Sequence, residues 1–334
     1  MKFIKDCLES IFKQSIFLKD FDIKIAVNVV DNGSQDNTVD FIRKNYPQVK
    51  VLKNTNNLGF SRAYNQAIRM HETEWVLVLN VDMILEKDFL EKLISTAQKS
   101  SDKIGSFSGK ILKAETVIDE DYLPRMQKTD KIDSCGLQIK KSRHIKNIGE
   151  NEIDEGQYDN LNEVFGFSGA CILFRREALE SVAYRQEYFD EDFFAYQEDF
   201  DLAYRLQNAG WKAKFIPSAK IYHFRSAQTN TLKVFSALKI IKARRQKSQK
   251  TNYLSFRNHL WVLYKNEIPE NFWRNIFYIF WFEFKKFIFV LLFEQKTLKF
   301  IPGFFNGLNK ISAKRKVVIQ NRKVSAEYIR SWFN

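Results

Sequence analysis

Three acidic signatures punctuate this 334-residue chain, each at the edge of a regular element. Val29-Val30-Asp31-Asn32-Gly33-Ser34 ends one apolar run, Leu79-Asn80-Val81-Asp82 ends another, and Gln197-Glu198-Asp199 opens a helical pattern. Asp31 offers a carboxylate that can accept hydrogen bonds from a base N–H or from ribose hydroxyls, although an ordinary Asp-Asn-Gly turn has the same residues. Asp82 is a candidate ligand for Mg²⁺ or Mn²⁺, which sit on phosphate oxygens held by one or two carboxylates. His223 ends a later apolar run and is a candidate second ligand, a role that suits Mn²⁺ better than Mg²⁺. Taken alone, each of these two is more often a loop or structural residue. The third signature belongs to a dense cluster of Asp190, Glu191, Asp192, Glu198, Asp199 and Asp201. A solvated acidic face would be the bland reading. Phe193, Phe194 and Phe200 argue against it, because they demand burial and draw the carboxylates toward a cleft wall. A carboxylate so placed can act as general base on a hydroxyl, and a helix N-terminus should lower its pKa and keep it ionised. Asp201 and Arg205, spaced i, i+4, predict a structural ion pair.

The elements that must hold these residues alternate. Residues 3–17 carry an amphipathic helical pattern, and 23–31 read as a β-branched strand running into Asn32-Gly33. A helix follows to about Asn45, then a short strand over 49–53, a polar loop over 54–59 and a helix over 61–70. Trp75–Asn80 is a continuous apolar run suited to a strand buried on both faces. This alternation predicts an α/β fold whose mainly parallel sheet is flanked by helices, with ligands bound beyond the carboxyl ends of its strands. Residues 113–163 are polar and read as an extended excursion over that end. Strand patterns return over 212–215 and 219–223, and after Thr229 the texture becomes long basic-aromatic helices.

Composition narrows the classes. Apolar content of 45% excludes global disorder. Three scattered cysteines with no paired spacing argue against a disulfide framework and a structural zinc site, and fit a reducing cytoplasm. Of 53 Lys and Arg, 21 lie after residue 230, against only 5 of the 40 Asp and Glu. The basic excess therefore sits in the last third, which points to an anionic partner there. No phosphate loop, GxGxxG, HExxH or GxSxG pattern is present.

Together these segments resemble the family 2 glycosyltransferases of the GT-A fold, in particular their bacterial rhamnosyltransferase-like branch. Further matches are Asp6-Cys7-Leu8-Glu9-Ser10-Ile11, Asn57-Leu58-Gly59-Phe60 with Asn65, Ser134-Cys135-Gly136, Gly166-Phe167-Ser168-Gly169-Ala170, Asp201-Leu202 with Arg205-Leu206, and Arg257-Asn258. The resemblance implies that Asp31 contacts the base, that Asn57, Gly59 and Asn65 line the donor pocket, and that Asp82 holds the metal. It implies that Ser168, Gly169 and Ala170 border the acceptor, and that Asp199 is the catalytic base with Glu198 beside it. The implied reaction is an inverting, non-processive transfer from a nucleoside-diphosphate sugar (a UDP- or dTDP-sugar, dTDP-rhamnose among them) to a lipid-linked or polysaccharide acceptor. Two departures stand out. Asn80 replaces the first acid of the metal triplet, and the apolar strand that relatives carry before the first helix is missing. They keep open the alternative of a catalytically weak sugar-nucleotide binder or scaffold.

Division falls at residue 230, with a catalytic domain over 1–230 and a helical basic extension over 231–334. Residues 272–293 are the most apolar stretch, but Arg274, Glu283, Lys285 and Lys286 interrupt it. A spanning helix needs about 20 predominantly apolar residues. The expectation is instead a helix lying on an anionic membrane surface, aromatics inward and lysines toward headgroups, with the protein peripheral at the cytoplasmic face of the plasma membrane. Packing of these aromatics on the catalytic domain is the competing reading. No nucleic-acid-binding motif accompanies the charge.

Overall fold

A computed structural model describes residues 3–17, 23–118, 124–224, 244 and 247–334. In chain order the first elements are α1 (Ile4–Phe12), β1 (Asn28–Asp31), α2 (Thr38–Asn45), β2 (Lys50–Lys53), α3 (Phe60–Ile68), β3 (Trp75–Leu79), β4 (Met83–Leu85) and α4 (Phe89–Gln98). They are followed by β5 (Ile104–Ile118), β6 (Pro124–Ser134), β7 (Leu137–Ile139), β8 (Ile145–Asn147), β9 (Glu163–Val164), β10 (Cys171–Arg175), α5 (Arg176–Ser181), α6 (Glu198–Asn208) and β11 (Lys212–Phe224). The C-terminal helices are α7 (Gln249–Asn266), α8 (Pro269–Arg274), α9 (Ile276–Phe293), α10 (Phe300–Gln320) and α11 (Ala326–Ser331).

The predicted α/β architecture is present. β1 and β2 pair in parallel through the α2 crossover. The main sheet has the order β3-β10-β5-β11-β4. β5 and β11 are parallel, whereas β10 is antiparallel to both β3 and β5, and β4 is antiparallel to β11. It follows that β3, β5 and β11 run one way, with β10 reversed between the first two and β4 reversed at the edge. Among the described residues β1 pairs only with β2, and β3 only with β10. α1 spans these two sheets: Ile4 and Leu8 pack with Ile42 and Val49, while Ile11 also touches the cluster around Met83, Leu85 and Phe89. The strand expected over 23–31 shortens to 28–31, where its register with β2 begins at Asn28 opposite Lys50. Residues 113–163, read from sequence as an extended excursion, include the end of β5, the whole of β6 paired antiparallel to it, and strands β7 to β9.

The C-terminal helices form a layer on α6. Ser248 caps α7 by accepting a hydrogen bond from the Thr251 N–H, and Pro269 stands in the first turn of α8. α10 lies tight against α7: a Cβ on Gly307 would come within 2.2 Å of the Trp261 ring. Charge ties this layer to the acidic cluster. Lys265 on α7 reaches Asp190 at 2.5 Å and Asp201 at 2.8 Å, all three essentially inaccessible. Lys314 on α10 reaches Glu187, Asp190 and Asp192 at 2.5–2.8 Å. Asp201 also receives Arg205 at 2.9 Å, the pair predicted from spacing. At the chain end, the Asn334 N–H donates to the Ile139 carbonyl at 3.0 Å.

α9 is the exception to this burial. Ile279 and Val290 face inward, but Phe277 is 84% exposed and Phe280 63%, and Trp273, Trp281, Phe284, Phe287 and Leu291 continue the stripe. Phe305 on α10 is exposed as well. Lys286, expected to point toward headgroups, turns inward: its ammonium pairs with Glu283 at 2.9 Å, and Glu283 in turn meets His259 at 2.8 Å. That inward trio pins α9 to α7. Among the described residues no helix is long and apolar enough to cross a membrane.

Candidate active site

Asp31 closes β1 and is 4% exposed. Its carboxylate accepts from the Ser34 N–H at 3.3 Å, and its carbonyl from the Asn54 N–H at 2.8 Å. Asn32 stitches the opposite loop, accepting from the Leu58 N–H at 3.0 Å and donating to Asn57 Oδ1 at 3.0 Å and the Gly59 carbonyl at 3.1 Å. Two glycines permit this closeness. Gly33 and Gly59 hold φ of +90° and +91°, and a Cβ on Gly59 would sit 2.5 Å from the Phe194 carbonyl. Asn57 and Gly59 thus lie on the loop facing Asp31. Asn65 does not line an open pocket. It is fully buried, donating to the Phe189 carbonyl at 2.7 Å and to Glu191 at 3.1 Å and accepting from the Phe189 N–H at 2.9 Å. Its amide is consumed in holding the segment that leads to the acidic cluster.

Asn80-Val81-Asp82 forms the turn between β3 and β4. The Asn80 side chain accepts from the Tyr64 hydroxyl at 2.9 Å, which explains why a neutral amide can stand there. His223 on β11 is in register with Met83 on β4, so its Nε2 comes within 3.4 Å of Asp82 Oδ2. Its Nδ1 lies 2.8 Å from Asp133, a residue 90 positions earlier that sequence spacing did not flag. Burial lowers the His223 pKa, but hydrogen bonds to the two carboxylates and their charges outweigh it and raise the value.

Glu198 and Asp199 begin α6 after a strained lead-in: Phe194, Tyr196 and Gln197 all have φ between 65° and 74°. Such backbone costs about 1–3 kcal/mol per residue unless its surroundings fix it. Asn258 on α7 does so, its Nδ2 lying within 2.9 Å of the Phe193, Ala195 and Tyr196 carbonyls. Arg257 adds a bond to the Asp192 carbonyl at 2.9 Å. Asp199 accepts from the Gly169 N–H at 2.9 Å and from the Phe200 N–H at 2.9 Å. One residue on, the Ala170 carbonyl accepts from the Asn80 N–H at 2.9 Å. The segment Ser168-Gly169-Ala170 is therefore the physical bridge between Asp199 and the turn that carries Asn80 and Asp82. Ser168 Oγ is buried and finds no protein partner.

The expected downward pKa shift at this helix start is overturned. Burial raises the pKa of Asp199 despite its N–H donors, and raises that of Glu198 further, where the Asp199 charge adds to it. Withdrawal from water outweighs the helix dipole here. Of the pair, Glu198 is raised further, and its Oε2 is buried and unpartnered. For an acid whose folded pKa is raised, the stability it contributes is complete below the ordinary glutamate value and is lost as pH rises through the folded value. Glu198→Gln should accordingly gain in Tm over the parent as pH is raised from 5 to 8, a trend that thermal melts would check.

A family model described as Glycosyl transferase family 2 matches residues 1–183, more than half the chain. The chain belongs to that family. A second model, Glycosyl transferase family group 2, matches residues 150–298. This family 2 glycosyltransferase is 27% identical over 218 residues to the N-acetylglucosaminyl-diphospho-decaprenol L-rhamnosyltransferase of Mycobacterium tuberculosis, covering 61% of this chain and 68% of that one. It is 24% identical over 194 residues to the poly-β-1,6-N-acetyl-D-glucosamine synthase of Staphylococcus epidermidis, covering 57% and 40% respectively. In fold it is similar to GalNAc-T7, solved with UDP, GalNAc and Mn²⁺, at a TM-score of 0.53 and 13% identity over 78% of this chain and 45% of that one. The fold class is that of the GT-A glycosyltransferases, and the relatives place the chain with the rhamnosyltransferase-like branch.

Proposed function

We propose that this family 2 enzyme transfers one sugar from a UDP- or dTDP-sugar, with inversion, to a hydroxyl of a lipid-linked or polysaccharide acceptor in cell-surface glycan synthesis. The observation that supports the reading is the chain of contacts from Asp199 through Gly169 and Ala170 to Asn80, two residues before Asp82; in this reading Asp199 would be the base and Asp82 the phosphate-side carboxylate. Asp31 with the Asn57–Gly59 loop would take the nucleoside. Asp199 would accept the acceptor hydroxyl proton as that oxygen bonds to the anomeric carbon, while the bond to the diphosphate breaks and the nucleoside diphosphate leaves with its electron pair. The name of the rhamnosyltransferase relative supports L-rhamnose as the transferred sugar and a lipid-linked acceptor, and that of the synthase supports a polysaccharide product.

Asp82 and His223 would hold the divalent cation, Mg²⁺ or Mn²⁺. Their 3.4 Å separation is near the roughly 3 Å between neighbouring ligands that each stand about 2.1 Å from an octahedral ion. No cluster of three or more protein ligands forms among the described residues. That suits an ion completed by phosphate oxygens and water. When bound, it supplies positive charge against the leaving diphosphate. Incubation with a panel of UDP- and dTDP-sugars, a divalent cation and lipid-linked acceptors tests the reading. Sugar-dependent release of nucleoside diphosphate with product formation is expected, and none with any pair would defeat it.

The same reading places the protein at the cytoplasmic face of the plasma membrane, with the basic helical extension as its docking part. The exposed aromatic residues along α9 are the kind of apolar surface that marks a membrane or protein contact, and basic residues near the surface add about 1 kcal/mol each toward anionic lipid. Burying one Phe is worth about 1.5–3 kcal/mol, so Phe277→Ser with Phe280→Ser should weaken binding to anionic vesicles by at least about 100-fold. Co-sedimentation checks this, and unchanged binding would remove α9 from the interface.

A further inference from the structure

Asp133 belongs neither to the proposed ligand pair nor to the acidic pair at the start of α6, yet its placement is unusually determined. Ile111 on β5 pairs with Ser134, while the next residue, Leu112, pairs with Ile132. Asp133 is thus the extra residue of a β-bulge, a device that re-aims a side chain next to a functional site. The bulge is locked downstream: Ser134 Oγ donates to Asn147 Oδ1 at 3.0 Å, Gly136 has φ +115°, and a Cβ on it would strike Val164 at 2.8 Å. The re-aimed carboxylate is wholly buried and lies 2.8 Å from His223 Nδ1. Across the same ring, Nε2 faces Asp82 at 3.4 Å. Three strands therefore converge, with β6 supplying the bulge, β11 the imidazole, and the turn into β4 the second carboxylate.

We propose that Asp133 is the positioning residue of the cation site, accepting the Nδ1–H of His223 so that the Nε2 lone pair is directed at a divalent ion shared with Asp82. The inference rests on the cation reading above and extends it to a residue outside the ligand pair. A histidine ligand has two tautomers, and a carboxylate on the far nitrogen selects the useful one, fixes the ring plane and raises its basicity. Removing such a partner typically weakens metal binding by about 10–100-fold. The motif Ser134-Cys135-Gly136 thereby acquires a physical reason: its Ser and Gly hold the bulge that aims the preceding Asp133.

The test is Mn²⁺ affinity in the presence of UDP, read from the electron paramagnetic resonance signal of free Mn²⁺, for the parent, Asp133→Asn and Asp82→Ala. A 10–100-fold loss in Asp133→Asn, with the parent circular dichroism spectrum retained, is the expected result. Affinity unchanged in Asp133→Asn but lost in Asp82→Ala would overturn the positioning role and leave the cation reading standing. Affinity unchanged in both would overturn both. A second measurement needs no variant to fold in place of the parent: ¹⁵N spectra of histidine-labelled protein, which has only four histidines. With neutral His223, protonation at Nδ1 is expected, and protonation at Nε2 would overturn the proposal.

Discussion

Asp199→Asn should lower sugar transfer by about 10²–10⁴-fold, the usual contribution of a positioned general base, while nucleotide binding and Tm stay near the parent values. The substitution keeps the shape of the side chain and an oxygen able to accept from the Gly169 or Phe200 N–H. It removes only the charge that can take a proton. Glu198 cannot substitute, because its carboxyl is buried, its pKa is raised by burial and by Asp199, and one oxygen has no partner with which to stabilise an anion. The pH profile should carry the same information. Since burial raises the Asp199 pKa, the acid limb of kcat should fall above the ordinary aspartate range, activity rising as Asp199 ionises. Single-turnover transfer with the donor saturating would check both. Transfer within twofold of the parent would remove Asp199 from the chemistry.

Lys265→Met should cost about 3–5 kcal/mol of folding stability, the penalty for removing one partner of a buried ion pair. Met matches the length of the stem but leaves the Asp190 and Asp201 carboxylates, 2% and 0% exposed at the side chain, without their shared ammonium. Burial alone pushes the Asp190 pKa up, but Lys265 and then Lys314 outweigh it and hold the value below the usual range. In the parent, the stability this depressed pKa contributes is present above the ordinary aspartate pKa and is lost as pH falls through the lowered value. The deficit in the variant should therefore shrink in acid, where protonation of Asp190 relieves the stranded charge. Urea unfolding at pH 7.5 and pH 4.5 measures this. A midpoint equal to the parent at pH 7.5 would show that the C-terminal layer does not depend on the pair.

What could be read along the chain, and what could not, follows from the range of the physics involved. Asp31 and Asp82 were legible because β-branched and apolar runs stop beside them, and the Asp201–Arg205 pair because i, i+4 geometry is fixed by the helix. The Asp133–His223 contact was not, since a bulge is invisible until two strands pair. Residues 113–163 showed only weak strand patterns because their charges obscure the alternation of β5 and β6; Asp154 and Asp159, for instance, meet the buried Lys110 of β5 at 2.6 Å. Asn65 looked like a pocket residue from its place in a motif, yet its amide is spent on Phe189 and Glu191. The sign of the Asp199 shift failed for a similar reason: a helix start can be seen in sequence, but the water it loses depends on the Gly169 segment and on Asn258, 59 residues downstream. Lys286 was placed outward by composition and is drawn inward by Glu283.

At the centre of the account is one cleft in which Asp82 serves the diphosphate of an activated sugar. Calorimetric titration of UDP and dTDP into the parent and Asp82→Ala, each with and without Mn²⁺, addresses that directly. The account predicts that Mn²⁺ tightens nucleotide binding to the parent by at least about tenfold, or roughly 1.4 kcal/mol, and that Asp82→Ala abolishes this gain. Equal, Mn²⁺-independent binding by both proteins, or none by either, would contradict it.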